Sequence, residues 1–432
     1  MAREFKDSGI EWIGQIPKEW KVVRAKGLFV QRSTKGNSQP VLLSATQKQG
    51  MLPQYLLEGV VQTNKDTDLQ TFKTVHKNDF VISLRSFQGG FEKSDYEGVC
   101  SPAYQVFYNR APINYSYFWQ LFKSVGFIDK INSLTVGIRE GKNIQYKDFA
   151  DMYLAIPSLP EQQKIADYLD KVCGEVDEMV SLQEKMIEEL KAYKQSVITE
   201  AVTKGLNPNA PMKDSGIDWI GEIPEQWNVC RFKEKFTTGK GLTFTKADLV
   251  QDGYPVISYG QVHSKRNTGT EIDVALIRHV PATVVQGGGS SFVHVGDFIF
   301  ADTSEDISGC GNCVYVNEDI GLYAGYHTVI AFSKREESNK YLAYLFLTDC
   351  WRSQIRSRVS GIKVFSISQA IIKQTTLIIP PPFEQQQIAS YLDTKCSEID
   401  SLIVLKQQKI EELKEYKKSV IYEYVTGKKE VA

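Results

Sequence analysis

Two polar loops of the sequence carry residue types that could contact nucleic acid. One is LRSFQGG at residues 84–90 and the other is ADTSEDISG at residues 301–309, and each follows an Asp-Phe pair and a short apolar run. Arg, Gln, Ser and Thr side chains bind phosphates and base edges, and glycine lets the backbone approach a ligand closely. The candidate contacts in these loops are Arg85, Ser86, Gln88, Thr303 and Ser304.

A second set of candidates consists of cations. Arg139 and Lys363 occupy matched positions, because each follows a Gly-Ile pair, and Lys142 lies near the first of them. Cations of this kind neutralise phosphates, although ordinary solvated surface charge is an equally good explanation. The remaining candidates, in a polar loop and on a predicted helix, are Lys265, Arg266, Arg352 and Arg356.

Motifs that would support catalysis are missing from the sequence. It has no glycine-rich strand-to-helix turn for S-adenosylmethionine and no phosphate-binding loop. Cys310-Gly-Asn-Cys313 has the spacing of half a zinc site, but no second pair accompanies it. Pro380-Pro-Pro-Phe383 lacks the Asn or Asp that an adenine methyltransferase needs at its first position. We therefore predict no catalytic residue and no metal ligand.

The elements that must position the candidates occur twice. A long charged segment spans residues 161–202 and again 384–425, and a block beginning KDSGI and containing two tryptophans spans residues 6–24 and again 213–231. The whole chain is therefore a tandem duplication. In the first long segment, Ser158 and Glu161 have the spacing of a capping box. Both long segments lack proline, which predicts one continuous helix each, about 60 Å long.

Apolar residues of the first long segment recur at alternating steps of four and three, which is typical of a coiled coil. The second segment shares part of this seam, with lysines at other seam positions, so its natural partner is the first segment. The seam includes Met179, Tyr193, Leu402 and Tyr416, with Gln183 as a polar break. Its members predicted to pair or to dock other subunits are Ile165, Leu169, Val172, Val176, Leu190, Val197, Ile388, Leu392, Ile399, Leu413 and Val420.

Between the repeated blocks lie two middle regions, Lys21–Leu154 and Asn228–Leu377. Short β-type runs separated by Gly, Ser and Asn clusters, followed by helical stretches at Tyr115–Lys130 and Asn339–Ser357, predict a mixed α/β domain with a curled sheet in each. The predicted organisation is a first domain at 1–155, a helix at 156–204, a linker at 205–212, a second domain at 213–378, a second helix at 379–427 and a tail at 428–432.

Composition limits the possible classes of protein. The chain has 432 residues, of which 24% are charged, and a net charge of −1. The first middle region has 17 Lys and Arg against 11 Asp and Glu, whereas residues 161–204 have 6 against 10, so a polyanion would contact the middle regions. Seven cysteines are too few and odd in number for a disulfide framework. No apolar run could span a bilayer and no signal peptide is evident, so we expect a cytoplasmic protein.

The repeated EQQxIAxYLD and DSGI(E/D)WIGxIP blocks, together with the long segments ending in KxSVI, resemble the specificity subunit of type I restriction-modification systems. The resemblance covers essentially the whole chain. It implies an α+β fold with two target recognition domains separated by two long antiparallel coiled-coil helices, related by an internal pseudo-twofold repeat. It also implies binding of double-stranded DNA, two methyltransferase subunits and motor-nuclease subunits.

The resemblance implies that this chain chooses the DNA site and binds no cofactor, whereas S-adenosylmethionine, ATP and Mg²⁺ belong to partner subunits. Because the loops of the two middle regions differ, the bipartite target should have two different halves with an unread gap between them. Two alternatives stay open at this stage. They are a coiled-coil scaffold without a sequence-specific role, and a self-contained methyltransferase or nuclease with degenerate motifs.

Overall fold

The computed structural model describes residues 3–36, 41–47, 49–57, 69–83, 90–134, 144–334, 339–361 and 363–431. The chain forms two compact units. Unit 1 consists of Met1–Lys185 and Lys406–Ala432, and unit 2 consists of Met186–Leu405. Each unit therefore contains one middle region, the beginning of the long helix that follows it and the end of the long helix from the other repeat. Within the described ranges, no helix is long and apolar enough to cross a membrane.

The first repeat contains twelve strands and five α-helices within the described ranges. In chain order they are β1 (Phe5–Asp7), β2 (Gln15–Pro17), β3 (Lys21–Arg24), α1 (Ala25–Leu28), β4 (Phe29–Gln31), β5 (Leu43–Thr46), β6 (Gly50–Pro53), β7 (Lys73–Val75), β8 (Phe80–Ile82), β9 (Phe91–Lys93), β10 (Gly98–Cys100), β11 (Gln105–Asn109), α2 (Tyr115–Lys123), α3 (Val125–Ser133), α4 (Tyr146–Ala150), β12 (Tyr153–Ile156) and α5 (Leu159–Lys204).

The second repeat has a closely related order of elements. They are β13 (Met212–Asp214), β14 (Glu222–Pro224), β15 (Asn228–Arg231), α6 (Phe232–Lys235), β16 (Phe236–Lys240), β17 (Tyr254–Ile257), α7 (Tyr259–Val262), β18 (Arg278–Val280), α8 (Ala282–Val285), β19 (Phe298–Ala301), β20 (Thr303–Ser304), β21 (Cys313–Tyr315), β22 (Tyr323–Ala324), β23 (Thr328–Ser333), α9 (Lys340–Phe346), α10 (Asp349–Arg356), β24 (Phe365–Ser366), α11 (Gln369–Lys373), β25 (Thr376–Ile379) and α12 (Pro382–Val425).

The two middle regions share one sheet topology. The central four-stranded sheet has the order β4-β11-β8-β9 in unit 1 and β16-β23-β19-β21 in unit 2, and every neighbouring pair is antiparallel. One face of each sheet packs against the helices through aromatic rings, such as Phe80 and Phe122 at 5.3 Å in unit 1 and Phe298 and Phe346 at 4.9 Å in unit 2. The prediction of a mixed α/β domain in each middle region is confirmed.

Each helical stretch predicted after the sheet contains two helices. Within Tyr115–Lys130, Ser124 has extended backbone, φ −69° and ψ 142°, and separates α2 from α3. Thr348 separates α9 from α10 in the same way, and its hydroxyl accepts a hydrogen bond from the Trp351 N–H. Ser124 and Thr348 are the N-cap residues of α3 and α10, a position at which Ser and Thr are favoured.

Hydrogen bonds join the repeated blocks within each unit. The indole Nε1 of Trp20 donates to Glu161 Oε1 at 3.1 Å, and that of Trp227 donates to Glu384 Oε2 at 3.0 Å. Glu161 also accepts from the Arg3 guanidinium at 2.6 Å, so its carboxylate binds these groups at the start of α5. The repeated tryptophans and glutamates thus fix the head block onto the beginning of the long helix that follows.

The end of the other long helix packs into each unit by a matched contact. The Tyr117 hydroxyl donates to the Val425 carbonyl at 3.1 Å in unit 1, and the Tyr341 hydroxyl donates to the Val202 carbonyl at 2.9 Å in unit 2. These carbonyls lie in the last turn of α12 and near the end of α5, where backbone carbonyls have no N–H partner within the helix. Both hydroxyls are buried, so each bond satisfies two groups that water cannot reach.

Within each unit the long helices lie side by side and antiparallel. In unit 1 the Lys417 ammonium lies 2.7 Å from the Asp177 carboxylate, and in unit 2 the Lys194 ammonium lies 2.7 Å from the Asp400 carboxylate. The two ion pairs occupy equivalent positions in the two repeats. Each ion pair joins the first half of one long helix to the second half of the other. This arrangement confirms the predicted antiparallel pairing.

The buried positions of these helices differ in part from the predicted seam. Ile165, Leu169, Val176, Ile388, Leu392, Ile399, Leu413 and Val420 are buried, whereas Val172, Leu190 and Val197 are half-buried. Met179 is 51% exposed and Tyr193 is 58% exposed, and Leu402 and Tyr416 are exposed as well, so the predicted seam is wrong at these four positions.

The observed spacing explains the difference. Ile165, Val176, Ile187 and Ile198 are all buried, as are Ile388, Ile399, Ile410 and Ile421, and both series have a step of eleven residues. Eleven residues in three turns is close to the natural 3.6 per turn, whereas a seven-residue seam drifts by about 20° per repeat on a straight helix. Positions chosen at steps of four and three therefore turn away from the partner helix beyond Val176.

Candidate nucleic-acid interface

In unit 2 the fold brings two of the candidate loops together. Strand β20 continues from β19 and pairs with β24, with Thr303 opposite Ser366 and Ser304 opposite Phe365. Lys363 stands two residues before β24 and is exposed. The polar loop after β19 and the Gly-Ile-Lys loop, about sixty residues apart in sequence, therefore meet at one edge of the central sheet.

A cleft of about 940 Å³ opens beside this pair of loops. It contains four of the predicted residues, Thr303, Ser304, Arg352 and Arg356. The sequence-based prediction omitted other polar and aromatic side chains that line it, among them Tyr259, His263, Asn312 and His327. These come from α7, from the loop before β21 and from the turn before β23, and their sequence separation left no recognisable motif.

Two of the predicted cations have partners within the protein. The Arg352 guanidinium donates through Nε to the Phe346 carbonyl at 2.8 Å, and burial lowers the pKa of this side chain. Arg356 donates to Asp349 Oδ1 at 2.7 Å and to the Ser308 carbonyl at 2.9 Å. Both arginines therefore hold α10 to its neighbours, and a contact with nucleic acid remains a prediction for them.

The side chains of β20 differ in their accessibility. Ser304 is buried, and its hydroxyl donates to the Asp306 carbonyl at 2.7 Å, so it stabilises the turn that follows. Thr303 is half-buried and its carbonyl oxygen lies 2.8 Å from Nε2 of His263. Thr303 and Lys363 are thus the predicted residues of this edge whose side chains are accessible to a ligand.

Lys265 and Arg266 follow α7 and are exposed. Arg266 Nε donates to Asp273 Oδ2 at 2.7 Å, and this hydrogen bond lowers the pKa of Asp273. His263, two residues earlier, lines the cleft. The loop that contains Lys265 therefore follows α7, which lines the cleft, and its role as a DNA contact stays a prediction.

In unit 1 the candidates Arg85, Ser86, Gln88, Arg139 and Lys142 lie outside the described residues. The strands that flank the first of these loops are described. Ser83 N donates to the Gly90 carbonyl at 2.8 Å at the end of the β8–β9 pair, as Ala301 N donates to the Asn312 carbonyl at 3.2 Å at the end of the β19–β21 pair. The two polar loops therefore leave their sheets at the same topological point.

Metal binding finds no support in the part of the chain that the structure describes, where no cluster of His, Cys, Asp or Glu could hold an ion. Cys310 and Cys313 are both buried. Burial raises the pKa of the Cys313 thiol to about 12 and also raises that of Cys310, which disfavours the thiolate that zinc requires.

Comparison with known proteins gives a consistent result. The model of the type I restriction modification DNA specificity domain matches residues 17–192 and 224–415. The MjaVIII specificity subunit of a type I restriction enzyme from Methanocaldococcus jannaschii is 23% identical over 96% of this chain and 94% of its own length. The EcoKI specificity subunit of Escherichia coli is 23% identical over 48% of this chain and 44% of its own.

Two solved structures share the fold. A chain from a type I R-M system, studied for its complex assembly and conformational transition, superposes with a TM-score of 0.69 at 14% identity, covering 95% of this chain and 98% of its own. The HsdS subunit from Thermoanaerobacter tengcongensis superposes with a TM-score of 0.52 at 15% identity, with the same two coverages.

Proposed function

Because this chain belongs to the type I restriction modification DNA specificity family, we propose that its two middle regions each recognise one half of a bipartite DNA target. The observation that carries the proposal is a shared scaffold with different polar loops. Both central sheets have the same strand order, and each polar loop leaves its sheet at the same point, yet 84–90 and 301–309 differ in nearly every residue. One scaffold with two different loop sets gives two different half-sites.

The chain acts as the specificity subunit and performs no chemistry itself. Its partners are double-stranded DNA, two methyltransferase subunits and the motor-nuclease subunits of a type I system, all in the cytoplasm. S-adenosylmethionine, ATP and Mg²⁺ are bound by those partners. The assignment of the partner subunits rests on the family, because relatives are specificity subunits of type I restriction enzymes.

The exposed apolar side chains of α5 and α12 support a docking surface for the methyltransferase subunits. In unit 1 these are Met179 and Leu182, and in unit 2 the equivalent Leu402 and Leu405, all between 46% and 59% exposed. Matched apolar residues at equivalent positions of both repeats fit two copies of one partner. Exposed apolar side chains three residues apart on one helix face are typical of a protein interface.

The decisive experiment exchanges one middle region and maps methylated adenines across a host genome. The structure defines the boundaries of the exchange, since β15 (Asn228–Arg231) and β25 (Thr376–Ile379) pair with each other and enclose the second middle region. A relative's region placed between them should change one half of the target and leave the other half intact. The matched control exchanges the first region between β3 and β12, which pair in the same way.

Three outcomes would contradict the proposal. Both halves of the target could change in a single exchange, which would exclude independent recognition. The chain alone could methylate or cleave DNA when given cofactors, which would make it a self-contained enzyme. The assembled complex could bind random and selected duplexes equally, which would leave only a scaffold role.

A further inference from the structure

One cleft residue of unit 2 has an unusual backbone conformation. His327 has φ 55°, in the left-handed region, and among the described residues the other non-glycine residue there is Asn78. Strained backbone of this kind concentrates at functional sites. Two hydrogen bonds fix it, because Asp302 N donates to the His327 carbonyl at 3.2 Å and Tyr259 N donates to the Tyr326 carbonyl at 3.3 Å.

The backbone places the imidazole at the mouth of two openings. The ring is 59% exposed, and it lines both the 940 Å³ cleft and a neighbouring groove of about 770 Å³ that follows β16 and β24. Tyr259 and Tyr326 contact the ring edge-on, with centroids at 5.6 Å and 6.0 Å. An accessible ring held between two aromatic side chains is positioned for a ligand rather than for the core.

A carboxylate lies beside one of the two ring nitrogens of His327. His327 Nδ1 lies 3.3 Å from Asp302 Oδ1, which is ion-pair distance without the alignment of a hydrogen bond. This carboxylate oxygen is buried and has no hydrogen bond to any other atom of the described residues. Because a carboxylate only accepts, it favours the proton on Nδ1, and the neutral ring then presents Nε2 as an acceptor.

The pair is specific to the second repeat. Strand register matches β23 with β11 and β19 with β8, and it places Ala103 at the position of His327. Counting from the matched Asp-Phe pairs in the sequence, the residue at the position of Asp302 is Leu84. The first repeat builds the same sheet without a His–Asp pair, so the pair is not needed for the fold. Its role therefore belongs to what differs between the two repeats.

We propose that Nε2 of His327 accepts a hydrogen bond from the exocyclic amino group of one base, adenine N6 or cytosine N4, in the half-site bound by unit 2. These are the amino groups that the major groove presents. Asp302 acts as a positioning residue by keeping the proton on Nδ1. This inference rests on the proposed function, and it names a residue that determines one base of the target.

The test uses the full chain assembled with its methyltransferase subunits. A target is first selected from random duplexes with the wild-type complex, and the selection is repeated with His327→Gly and Asp302→Asn. Gly is chosen at residue 327 because it adopts left-handed backbone readily and has no side-chain acceptor that could replace the imidazole. His294→Gln is the control, since His294 is another exposed histidine of unit 2 and lines neither opening.

The expected result is a loss of at least tenfold in discrimination at one A or C position of one half-site, with His327→Gly and Asp302→Asn affecting the same position. The other half-site and the His294→Gln complex should be unchanged. Target duplexes in which that adenine is replaced by purine, or that cytosine by its analogue lacking the amino group, distinguish the two bases. They should weaken binding by the wild-type complex by a similar factor and leave binding by the His327→Gly complex unchanged.

Several results would overturn the inference. If His327→Gly weakens binding equally on all sequences, the side chain contacts phosphate instead of a base. If the wild-type complex is selective but binds equally well when each amino group of that half-site is removed in turn, His327 recognises none of them. This measurement uses only the wild-type protein, so it does not depend on whether a variant folds. If the wild-type complex shows no sequence preference, the proposed function itself fails.

Discussion

A buried ion pair in unit 1 has an apolar counterpart in unit 2, which permits a quantitative test of its energetics. The Lys123 ammonium lies 2.6 Å from Glu92 Oε1, and the Glu92 side chain is 1% exposed. Burial raises the pKa of Glu92 to about 7 and lowers that of Lys123. By strand register and by the matched caps Ser124 and Thr348, the equivalent residues of unit 2 are Val314 and Leu347.

The size of the effect follows from the pKa. One pKa unit corresponds to about 1.4 kcal/mol, so the rise from 4.5 to about 7 corresponds to about 3 kcal/mol. Because the folded state binds the Glu92 proton more tightly than the unfolded state, this contribution is full below about pH 4.5. It is lost progressively as the pH rises to about 7.

Lys123→Leu should therefore destabilise unit 1 strongly at pH 8, by about 3–5 kcal/mol, because it leaves the Glu92 carboxylate buried without its partner. At pH 5 Glu92 is largely protonated in the folded state, and the loss should be much smaller. Adding Glu92→Val, which copies the residues of unit 2, should restore the stability at pH 8 to within about 1 kcal/mol of wild type or above it.

Hydrogen exchange followed by mass spectrometry measures each unit separately. Peptides covering Phe80–Ile82 and Gln105–Asn109 report on unit 1, and those covering Phe298–Ala301 and Thr328–Ser333 are the internal control. A loss for Lys123→Leu that is equal at pH 5 and pH 8 would refute the electrostatic argument. So would a double variant that is no more stable than the single one.

Three further results are expected. Lys363→Ala should weaken binding to all duplexes and lower the slope of log affinity against log salt by about one, measured by titration at several salt concentrations, because its exposed charge suits a phosphate contact. Tyr341→Phe should cost about 1–2 kcal/mol in urea unfolding, because the Val202 carbonyl loses its buried donor, and Tyr117→Phe should cost a similar amount in unit 1. Arg352→Met should lower the thermal stability of unit 2, measured by its melting temperature, since the Phe346 carbonyl loses its hydrogen-bond donor.

The site was predictable only where both copies of the chain carry the same signal. The Asp-Phe pairs marked the beginnings of β8 and β19, and the polar loops that follow these strands differ in sequence between the two repeats. His263, Asn312 and His327 escaped prediction because they meet only through the pairing of distant strands. Arg352 and Arg356 were chosen for their charge, and sequence could not show that backbone carbonyls and Asp349 bind them.

The sequence by itself determined the duplication, the two long helices and the mixed α/β nature of the middle regions, because repeats, proline-free segments and local propensity are properties of neighbouring residues. Only the tertiary structure decided which helix face is buried and where α2 and α9 end. A period of eleven instead of seven is chosen by packing against a partner helix, and Ser124 and Thr348 become caps because the following helices turn onto the core. Contacts between distant residues settle such choices, and a sequence carries no local record of them.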